Sequence, residues 1–524
     1  MKATKIDRII QRAPWIASRT YKSETGEFLS AISNARTHQF ITMEAEAAQL
    51  WKQVEEGISL SDLQHRARLV GVAGELDTFI SSLDKAYLIN PELGRRETAF
   101  VQVDVPPDPK VDPNEPGARA YEQAELNVQS WVRGNGYLYA FFWELTYRCN
   151  ERCIHCFNPG AARKPGDRNR RNTNELTKKE MIELLDDMVE VGVFKLTISG
   201  GEVFVHKDFF FLLEQARTRG MQVRIYTNGL LLNEERLQKL ASFWPESVSI
   251  SLYSANAGEH DNVTRIPGSH QRSLTALKAL HKLGIKTVVK APLMKQTMHG
   301  WKDIERIGEE VGARTELGAL ITAAIDGNRD PLELNVESMG QLISLAATPG
   351  SPLFVGGPEN NYGRKDQDRE ENVCGAGRSL MSITPSGDVS PCCVLPLKVG
   401  SVRDTRLTEI WKNRDLKNSQ GSTTAEKSPR PDSLQVWRTI KRKDFHECGT
   451  HARCSWCHMC PGTGLTETDD VLASPKSLCR LATARMEAAK KLESHLGQKA
   501  QTREFAVLPE SRAPPVGLTH GQFG

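Results

Sequence analysis

Between residues 137 and 330, short apolar runs alternate with amphipathic stretches whose apolar positions recur at helical spacing. The runs are typical of buried strands and the amphipathic stretches of helices. A strand followed by a helix, repeated about six times, predicts a parallel sheet with right-handed crossovers. Because a closed barrel needs eight such units, we expect an α/β fold with a partial (β/α)6 TIM-like barrel, open at one side, and a site at the carboxyl ends of its strands. The predicted strands are Tyr137–Leu145, Phe194–Ser199, Gln222–Thr227, Ser247–Leu252, Lys286–Pro292 and Thr315–Ile321.

Residues 1–95 show a different pattern, which predicts a small N-terminal domain with a winged-helix-like order of elements. Its strands and helices are expected at Phe28–Ile32, Gln39–Thr42, Glu44–Glu56, Ser59–Val70, Glu75–Lys85 and Tyr87–Ile89. Residues 96–136 include a proline-rich run from Val105 to Pro116. We interpret them as a semi-rigid linker that leaves the flanking modules largely independent.

The composition favours a multidomain globular protein. Of its 524 residues, 39% are hydrophobic and 25% are charged, and no apolar run approaches the length of a membrane span. The first residues lack the apolar core of a secretion signal, so we expect a cytoplasmic protein without a membrane partner. The net charge of +3 does not indicate nucleic-acid binding.

Eleven cysteines in a chain without an export signal indicate metal or redox chemistry, because disulfides are rare in a reducing compartment. None precedes Cys149, three fall in one loop, and eight lie between Cys374 and Cys479. We therefore interpret residues 331–372 as a connecting segment, residues 373–492 as a cysteine-rich domain, and residues 493–524 as a flexible tail.

The loop after the first predicted barrel strand contains Cys149, Cys153 and Cys156 in a C-x-x-x-C-x-x-C pattern. Three thiolates can hold three irons of a four-iron cluster and leave the fourth iron open to a substrate. The alternative is a structural zinc site whose fourth ligand comes from elsewhere, such as His155.

Further motifs stand at the predicted strand ends: Ser199-Gly-Gly-Glu202 after the second strand, Tyr226-Thr-Asn-Gly229 after the third and Ser249-Ile-Ser-Leu-Tyr-Ser254 after the fourth. Together with the cysteine loop, they resemble radical S-adenosylmethionine (SAM) enzymes. The resemblance implies a four-iron, four-sulfur (4Fe-4S) cluster on the three cysteines, with SAM bound at its open iron. It also implies that the residues contacting SAM are His155, Gly200, Gly201, Glu202, Ser251 and Arg265.

The C-terminal cysteines resemble the SPASM extension of radical SAM peptide maturases, which carries auxiliary iron–sulfur clusters. The resemblance implies two auxiliary four-iron clusters, with ligands among Cys374, Cys392, Cys448, Cys454, Cys457, Cys460 and Cys479. The spacing around Cys457 and Cys460 departs from the family pattern, which leaves open both the assignment of thiols to clusters and the role of Cys393. A zinc knuckle of Cys454, Cys457 and Cys460 with His451 or His458 is the alternative.

Residues 28–90 also resemble the domain that recognises leader peptides in ribosomally made, post-translationally modified peptides. The resemblances together imply a maturase in which a 5′-deoxyadenosyl radical takes hydrogen from a precursor peptide or small protein. An intramolecular crosslink then forms, either a thioether or a carbon–carbon or carbon–oxygen bond. The electron donor would be a protein such as flavodoxin or ferredoxin. Two alternatives remain: a radical SAM enzyme that modifies RNA or a protein side chain, and a zinc-stabilised peptide-binding scaffold without catalysis.

Overall fold

The computed structural model describes residues 8–89, 116–158, 174–349, 351, 353–355, 370, 372–412, 434–448 and 450–500. About half of the predicted linker, residues 96–115 with the proline-rich run up to residue 115, lies outside these residues, as does the chain from 501 onward. Within the described ranges, no helix is long and apolar enough to cross a bilayer.

The N-terminal unit packs an antiparallel sheet on three helices, and the order in the sheet is β2-β3-β4. Its elements are β1 (Ile9–Ile10), β2 (Ile16–Lys22), β3 (Phe28–Asn34), β4 (Gln39–Glu44), α1 (Ala45–Glu56), β5 (Ile58–Ser59), α2 (Leu60–Leu69) and α3 (Leu76–Lys85). The strands and helices predicted from Phe28 to Lys85 are confirmed. The predicted last strand is reduced to a single bridge between Arg12 and Ile89. Strand β2 was missed because Ser18, Arg19 and Thr20 interrupt its apolar pattern.

Helix α4 (Pro116–Gly134) corrects the prediction that the linker extends to residue 136. Pro116 can begin a helix, because the first helical position needs no backbone N–H donor. Beyond it, Val128 and Val132 are four residues apart and both are buried. This helical spacing was hidden by the proline-rich composition just upstream.

The predicted partial barrel is confirmed: within the described residues, six parallel strands follow one another in sheet order β11-β10-β9-β8-β7-β6. Its strands are β6 (Ala140–Thr146), β7 (Lys195–Gly200), β8 (Gln222–Thr227), β9 (Ser247–Ser251), β10 (Thr287–Pro292) and β11 (Arg314–Gly318). Its helices are α5 (Lys178–Val191), α6 (Phe209–Thr218), α7 (Glu234–Ser242), α8 (Ala257–Thr264), α9 (Ser269–Lys282) and α10 (Trp301–Glu310). Helix α8, between β9 and α9, was not predicted.

Local signals set the ends of α5. Thr177 and Glu180 form a reciprocal capping box, and Gly192 ends the helix in the left-handed conformation with φ 96°. The apolar faces of the barrel helices pack on the outward side chains of the strands, such as Phe141, Trp143 and Leu145 of β6. Polar side chains of the strands therefore face the barrel interior.

The cysteine-rich region continues the barrel sheet. Strand β12 pairs in parallel with β6, and two antiparallel strands follow it, so the described residues form one nine-stranded sheet. The elements after the barrel are α11 (Met339–Ala347), β12 (Leu380–Ile383), β13 (Asp388–Ser390), β14 (Gly400–Ser401), α12 (Leu407–Lys412), α13 (Leu434–Thr439), α14 (Pro461–Thr468) and α15 (Lys476–Ala500). Helix α15 continues to Ala500, so the prediction that the flexible tail begins at residue 493 is wrong for residues 493–500.

The N-terminal unit and α4 pack against the amino ends of the barrel strands. Ser33 Oγ and the Tyr121 hydroxyl both accept hydrogen bonds from Gln222 Nε2, at 2.8 and 3.2 Å. Trp15 packs edge-on against Trp244 with ring centroids 5.7 Å apart. The expected independence of the two modules is therefore wrong.

Charged side chains at the same amino ends form what we call the amino-end network: Glu125, Lys195, Arg224, Glu246 and Lys286. Glu246 Oε2 accepts a hydrogen bond from Arg224 Nε at 2.9 Å, and its other oxygen lies 3.8 Å from Lys286 Nζ. Glu125 of α4 pairs with Lys195 of β7. Burial alone would raise the pKa of Glu246, but the charges of Arg224, Lys286 and Lys195 hold it well below the usual range.

Candidate functional site

The cysteine loop follows β6 directly at the carboxyl end of the barrel. The backbone N–H of Cys156 donates to the Cys153 carbonyl at 3.2 Å, which folds the loop into a turn. Cys149 is exposed, whereas Cys153 and Cys156 are half-buried. The three thiols are close enough to influence each other's protonation, and partial desolvation raises the pKa of Cys149 and Cys153. The structure thus brings together the three thiols that the sequence predicted as ligands. Thiols held against ionisation by desolvation and by each other are stabilised by a bound cationic metal centre.

Gly200 and Gly201 allow the end of β7 to touch the start of this loop. The Gly201 N–H donates to the Thr146 carbonyl, at 2.6 Å, and the Glu202 N–H to the Arg148 carbonyl, at 2.9 Å. A Cβ at Gly200 would lie 2.3 Å from the Thr146 carbonyl oxygen, and φ there is +134°. Both positions therefore require glycine, which locks the Gly-Gly-Glu segment to the cysteine loop.

Glu202 is fully buried between the ends of β7 and β8. Its carboxylate accepts from the Phe204 N–H at 3.0 Å, the Thr227 hydroxyl at 2.8 Å and the Asn228 N–H at 2.8 Å. Burial nevertheless raises its pKa. A carboxylate has about four acceptor positions, so one remains for an ammonium group at this site.

The other predicted SAM contacts lie around the loop. The imidazole of His155 is edge-on to Tyr253, with ring centroids 4.6 Å apart, and burial lowers its pKa to about 4. Its buried Nδ1 has no partner among the described atoms. Ser251 lies beside Tyr253. Arg265 is exposed at the end of α8, and the preceding residue, Thr264, accepts from the Arg152 N–H at 3.0 Å.

Four polar residues here were not singled out from the sequence: Glu144, Glu151, Asn228 and Tyr253. Asn228 Nδ2 donates to Asn150 Oδ1 at 2.7 Å, and the Tyr253 hydroxyl lies 3.7 Å from Cys153 Sγ. Burial raises the pKa of both Glu144 and Glu151 to about 7. Asn228 and Tyr253 belong to the strand-end motifs quoted above, which was a usable signal. Glu144 lies inside the apolar run of the first predicted barrel strand, where a single polar residue gives no signal of function.

Seven of the eight later cysteines separate into two groups, and the eighth, Cys393, lies beside the first group. The first group is Cys374, Cys392 and Cys460. The Cys374 thiol lies close enough to the other two that negative charge on either of them raises its pKa. Cys393 donates a hydrogen bond to Cys392, which lowers the Cys392 pKa to about 7. The second group is Cys448, Cys454, Cys457 and Cys479, which line one cavity together with Arg442 and Arg453. In the first group, Cys374 precedes β12, Cys392 follows β13, and Cys460 immediately precedes α14. The second group lies between the end of α13 and the first turn of α15.

The thiols of these groups could supply the all-thiolate ligation that four-iron clusters use. A zinc knuckle on the later cysteines would take its fourth ligand from His451 or His458. His451 lines the second cavity, but His458 is not among its lining residues.

Comparison with known proteins agrees with this geometry. Residues 143–307 match the model of the radical SAM superfamily, and residues 374–461 match that of an iron–sulfur cluster-binding domain, SPASM. The solved structure of Streptococcus suis SuiB bound to S-adenosylmethionine is similar in fold, with a TM-score of 0.52 and 15% identity, covering 90% of this chain and 99% of that one.

Several curated relatives match about half of the chain. An AdoMet-dependent heme synthase of Methanosarcina barkeri is 26% identical, covering 52% of this chain and 82% of its own length. Mycofactocin maturase MftC of Mycolicibacterium smegmatis is 28% identical, with 51% and 67% covered. PqqA peptide cyclase of Bradyrhizobium diazoefficiens is 28% identical, with 55% and 77% covered. The chain therefore contains a radical SAM domain followed by a SPASM iron–sulfur domain, and it is a radical SAM enzyme that uses S-adenosylmethionine and a four-iron cluster.

Proposed function

We propose that this enzyme matures a ribosomally made peptide or small protein by installing an intramolecular crosslink, as a thioether or a carbon–carbon or carbon–oxygen bond. The observation that carries the proposal is the position of Cys392, which follows a hairpin that extends the barrel sheet beside β6 and which lies near Cys374 and Cys460. A crosslink removes two hydrogen atoms from the peptide, so an electron acceptor must stand beside the substrate. The names of two relatives, a maturase and a peptide cyclase, support the same reaction class.

The residues divide this chemistry between them. Bound SAM and its cluster supply a 5′-deoxyadenosyl radical that takes one hydrogen atom from the substrate. Cys149, Cys153 and Cys156 hold that cluster, and Glu202 binds the methionyl ammonium. His155, Gly200, Gly201, Ser251 and Arg265 complete the SAM pocket. Cys374, Cys392 and Cys460 hold one auxiliary cluster, and Cys448, Cys454, Cys457 and Cys479 hold the other.

Substrate recognition by the N-terminal unit rests on the outer edge of β4. Among the described strands, β4 pairs with β3 alone. Ile41 and Met43 of β4 and Phe79 and Ile80 of α3 are half-buried around the N-terminal core. An extended leader segment of the precursor would add a strand to this edge and place apolar side chains near the half-buried residues of the N-terminal unit. Backbone hydrogen bonds would then supply affinity, and these four side chains selectivity.

The experiment reconstitutes the enzyme anaerobically and supplies SAM, a reductant such as flavodoxin, and the short peptides encoded beside its gene. The expected product has lost two hydrogen atoms per crosslink, with one 5′-deoxyadenosine formed per event, as measured by mass spectrometry. Modification of an RNA while every peptide stays unchanged would instead support the RNA-modifying alternative.

A pair of variants on β4 tests recognition. Met43→Asp places a charge among the half-buried apolar side chains beside this edge and should weaken leader binding, whereas Thr42→Asp, exposed on the opposite face of the same strand, should not. Peptide binding should change little with salt, while binding to nucleic acid would fall steeply as salt rises. Equal leader affinity of the two variants would move recognition to another surface.

A further inference from the structure

Glu144 is a buried carboxyl that faces the interior of the barrel. Its neighbours Trp143 and Leu145 pack into the outer core, so the alternation of β6 turns Glu144 inward together with Phe142. Phe142 meets Tyr226 of β8 at a centroid distance of 6.0 Å, which marks this face as the interior. Glu144 itself is 4% exposed.

A bulge lies beside Glu144. The register between β6 and β7 shifts between Glu144 and Thr146, immediately before the cysteine loop. Bulges are common next to active sites, where they redirect a side chain or end the pairing of strands. Here the bulge separates Glu144, inside the barrel, from the loop that holds the three thiols.

Few groups compensate for the burial of this carboxyl. The Tyr147 hydroxyl donates to Glu144 Oε2 at 2.9 Å. Among the described residues, no basic side chain lies close enough to offset the burial, which therefore raises the Glu144 pKa to about 7 despite that hydrogen bond. The other titratable group that faces it is the thiol of Cys393, and Asp388 of β13 lies near the Tyr147 hydroxyl. The carboxyl thus lies on the strand that leads into the cysteine loop and faces Cys393, the neighbour of Cys392 in the first auxiliary thiol group.

We propose that Glu144 is a catalytic base, which accepts the proton that the substrate releases as its new bond forms. The role rests on the proposed function, because it needs a crosslinking reaction. One C–H bond of the peptide breaks when its hydrogen atom leaves with 5′-deoxyadenosine. The X–H bond of the attacking group breaks as the C–X bond forms. Its proton goes to Glu144, and the remaining electron would be taken up by an oxidised iron–sulfur cluster, which Cys374, Cys392 and Cys460 would hold.

The arrangement suits this step because the proton acceptor faces Cys393, next to the thiols that would hold the electron acceptor. A carboxylate with a near-neutral pKa binds the proton at physiological pH and later returns it to solvent. The hydrogen bond from Tyr147 fixes the carboxylate and leaves its second oxygen for the substrate. At the opposite end of the barrel, Glu246 is paired with cations and is unsuited to accept a proton.

The first test measures how much peptide is modified for each 5′-deoxyadenosine formed, a ratio we call the coupling. It uses enzyme loaded with SAM, clusters and a peptide that the wild type modifies. In Glu144→Gln, modified peptide formed per 5′-deoxyadenosine should fall ~100-fold, the usual contribution of a general base. Glu144→Asp should retain part of the coupling. The matched control is Glu309→Gln on the exposed face of α10, which should couple like the wild type.

Two further readouts separate a base from a purely structural carboxyl. Wild-type coupling should decline as pH falls through the Glu144 pKa, and Tyr147→Phe should move that decline to higher pH because it removes the hydrogen bond that lowers this pKa. Infrared pH titration of the unloaded protein should show a carboxyl that titrates near neutral pH and is absent from Glu144→Gln.

Retained coupling in Glu144→Gln, or a carboxyl that titrates like an exposed glutamate, would overturn the base assignment. A wild-type enzyme that makes 5′-deoxyadenosine but modifies no peptide would refute the proposed function, and this role with it. Peptide modified equally well by wild type and Glu144→Gln would refute only the base.

Discussion

The two ends of the barrel treat buried carboxylates in opposite ways. At the amino ends, Glu246 is surrounded by Arg224 and Lys286, and its pKa is held low. At the carboxyl ends, burial raises the pKa of Glu144, Glu151 and Glu202. A buried charge destabilises a fold unless a partner compensates for it. At the amino ends, the protein's own cations compensate for the buried carboxylate and stabilise the contact with the N-terminal unit. At the carboxyl ends, the buried carboxyls lack such partners and are available to a bound cofactor or substrate.

Removing a thiol from the cysteine loop should have the largest effect on the catalytic end. Cys149→Ala should abolish 5′-deoxyadenosine formation, because two thiolates do not hold the cluster in place. Iron content should fall from close to three four-iron clusters to two. Cys457→Ala in the second auxiliary group is the matched control, and it should retain SAM binding. Unchanged 5′-deoxyadenosine production by Cys149→Ala would contradict the ligand assignment.

Neutralising Glu246 should damage the amino end alone. Glu246→Gln leaves Arg224 and Lys286 without their partner and should lower the free energy of unfolding by ~3–5 kcal/mol. Denaturant unfolding measures this loss, and SAM affinity should stay unchanged. Glu310→Gln breaks an exposed pair with Arg306 and should change stability by less than ~0.5 kcal/mol. Similar losses for the two variants would remove the distinction between the network and ordinary surface pairs.

The pH dependence of stability should have opposite sign at the two ends. For Glu246 the folded pKa is depressed, so its stabilisation is present above the unfolded pKa and is lost as pH falls toward the folded one. For Glu144 the folded pKa is raised to about 7, so its ionisation weakens the fold as pH rises from the unfolded value through 7. Glu144→Gln should thus gain stability over the wild type between pH 5 and 8, by up to ~3 kcal/mol.

Denaturant unfolding of Glu144→Gln and wild type across that pH range measures the difference. A difference that stays constant with pH would mean that Glu144 titrates normally in the folded chain.

The smallest effect concerns SAM binding. Glu202→Gln removes the charge that the methionyl ammonium would meet while retaining much of the hydrogen bonding, so affinity should fall by ~1.5–3 kcal/mol. Calorimetric titration of the reconstituted protein measures it, with Glu309→Gln as the unaffected control. Wild-type affinity would give Glu202 a structural role, holding the ends of β7 and β8 together.

The same contrast explains what the sequence predicted. The residues at the carboxyl ends of the strands belong to local motifs, because the cysteine loop and the Gly-Gly-Glu segment each span only a few neighbouring residues. Such motifs can be recognised from the sequence, and the structure places both at this end of the barrel. The amino-end network joins Glu125, Lys195, Arg224 and Glu246 from separate elements, and each reads alone as an ordinary polar position. Helix α4 was missed for a related reason, because its buried face depends on the barrel it covers. The division of the later cysteines likewise depends on contacts between segments distant in sequence.

The pairing of β6 with β12 has a consequence for how the chain reaches its fold. Ala140 of β6 pairs with Leu380 of β12. The outer edge of β6, the first barrel strand, is therefore covered only after about 240 further residues have been synthesised. Such non-local pairing slows folding, and an uncovered strand edge is prone to pair with other chains. Synthesis of this protein should therefore pass through a stage at which the barrel is largely made but vulnerable to aggregation. A fragment that ends before Leu380 should express poorly even though it contains every residue of the SAM site.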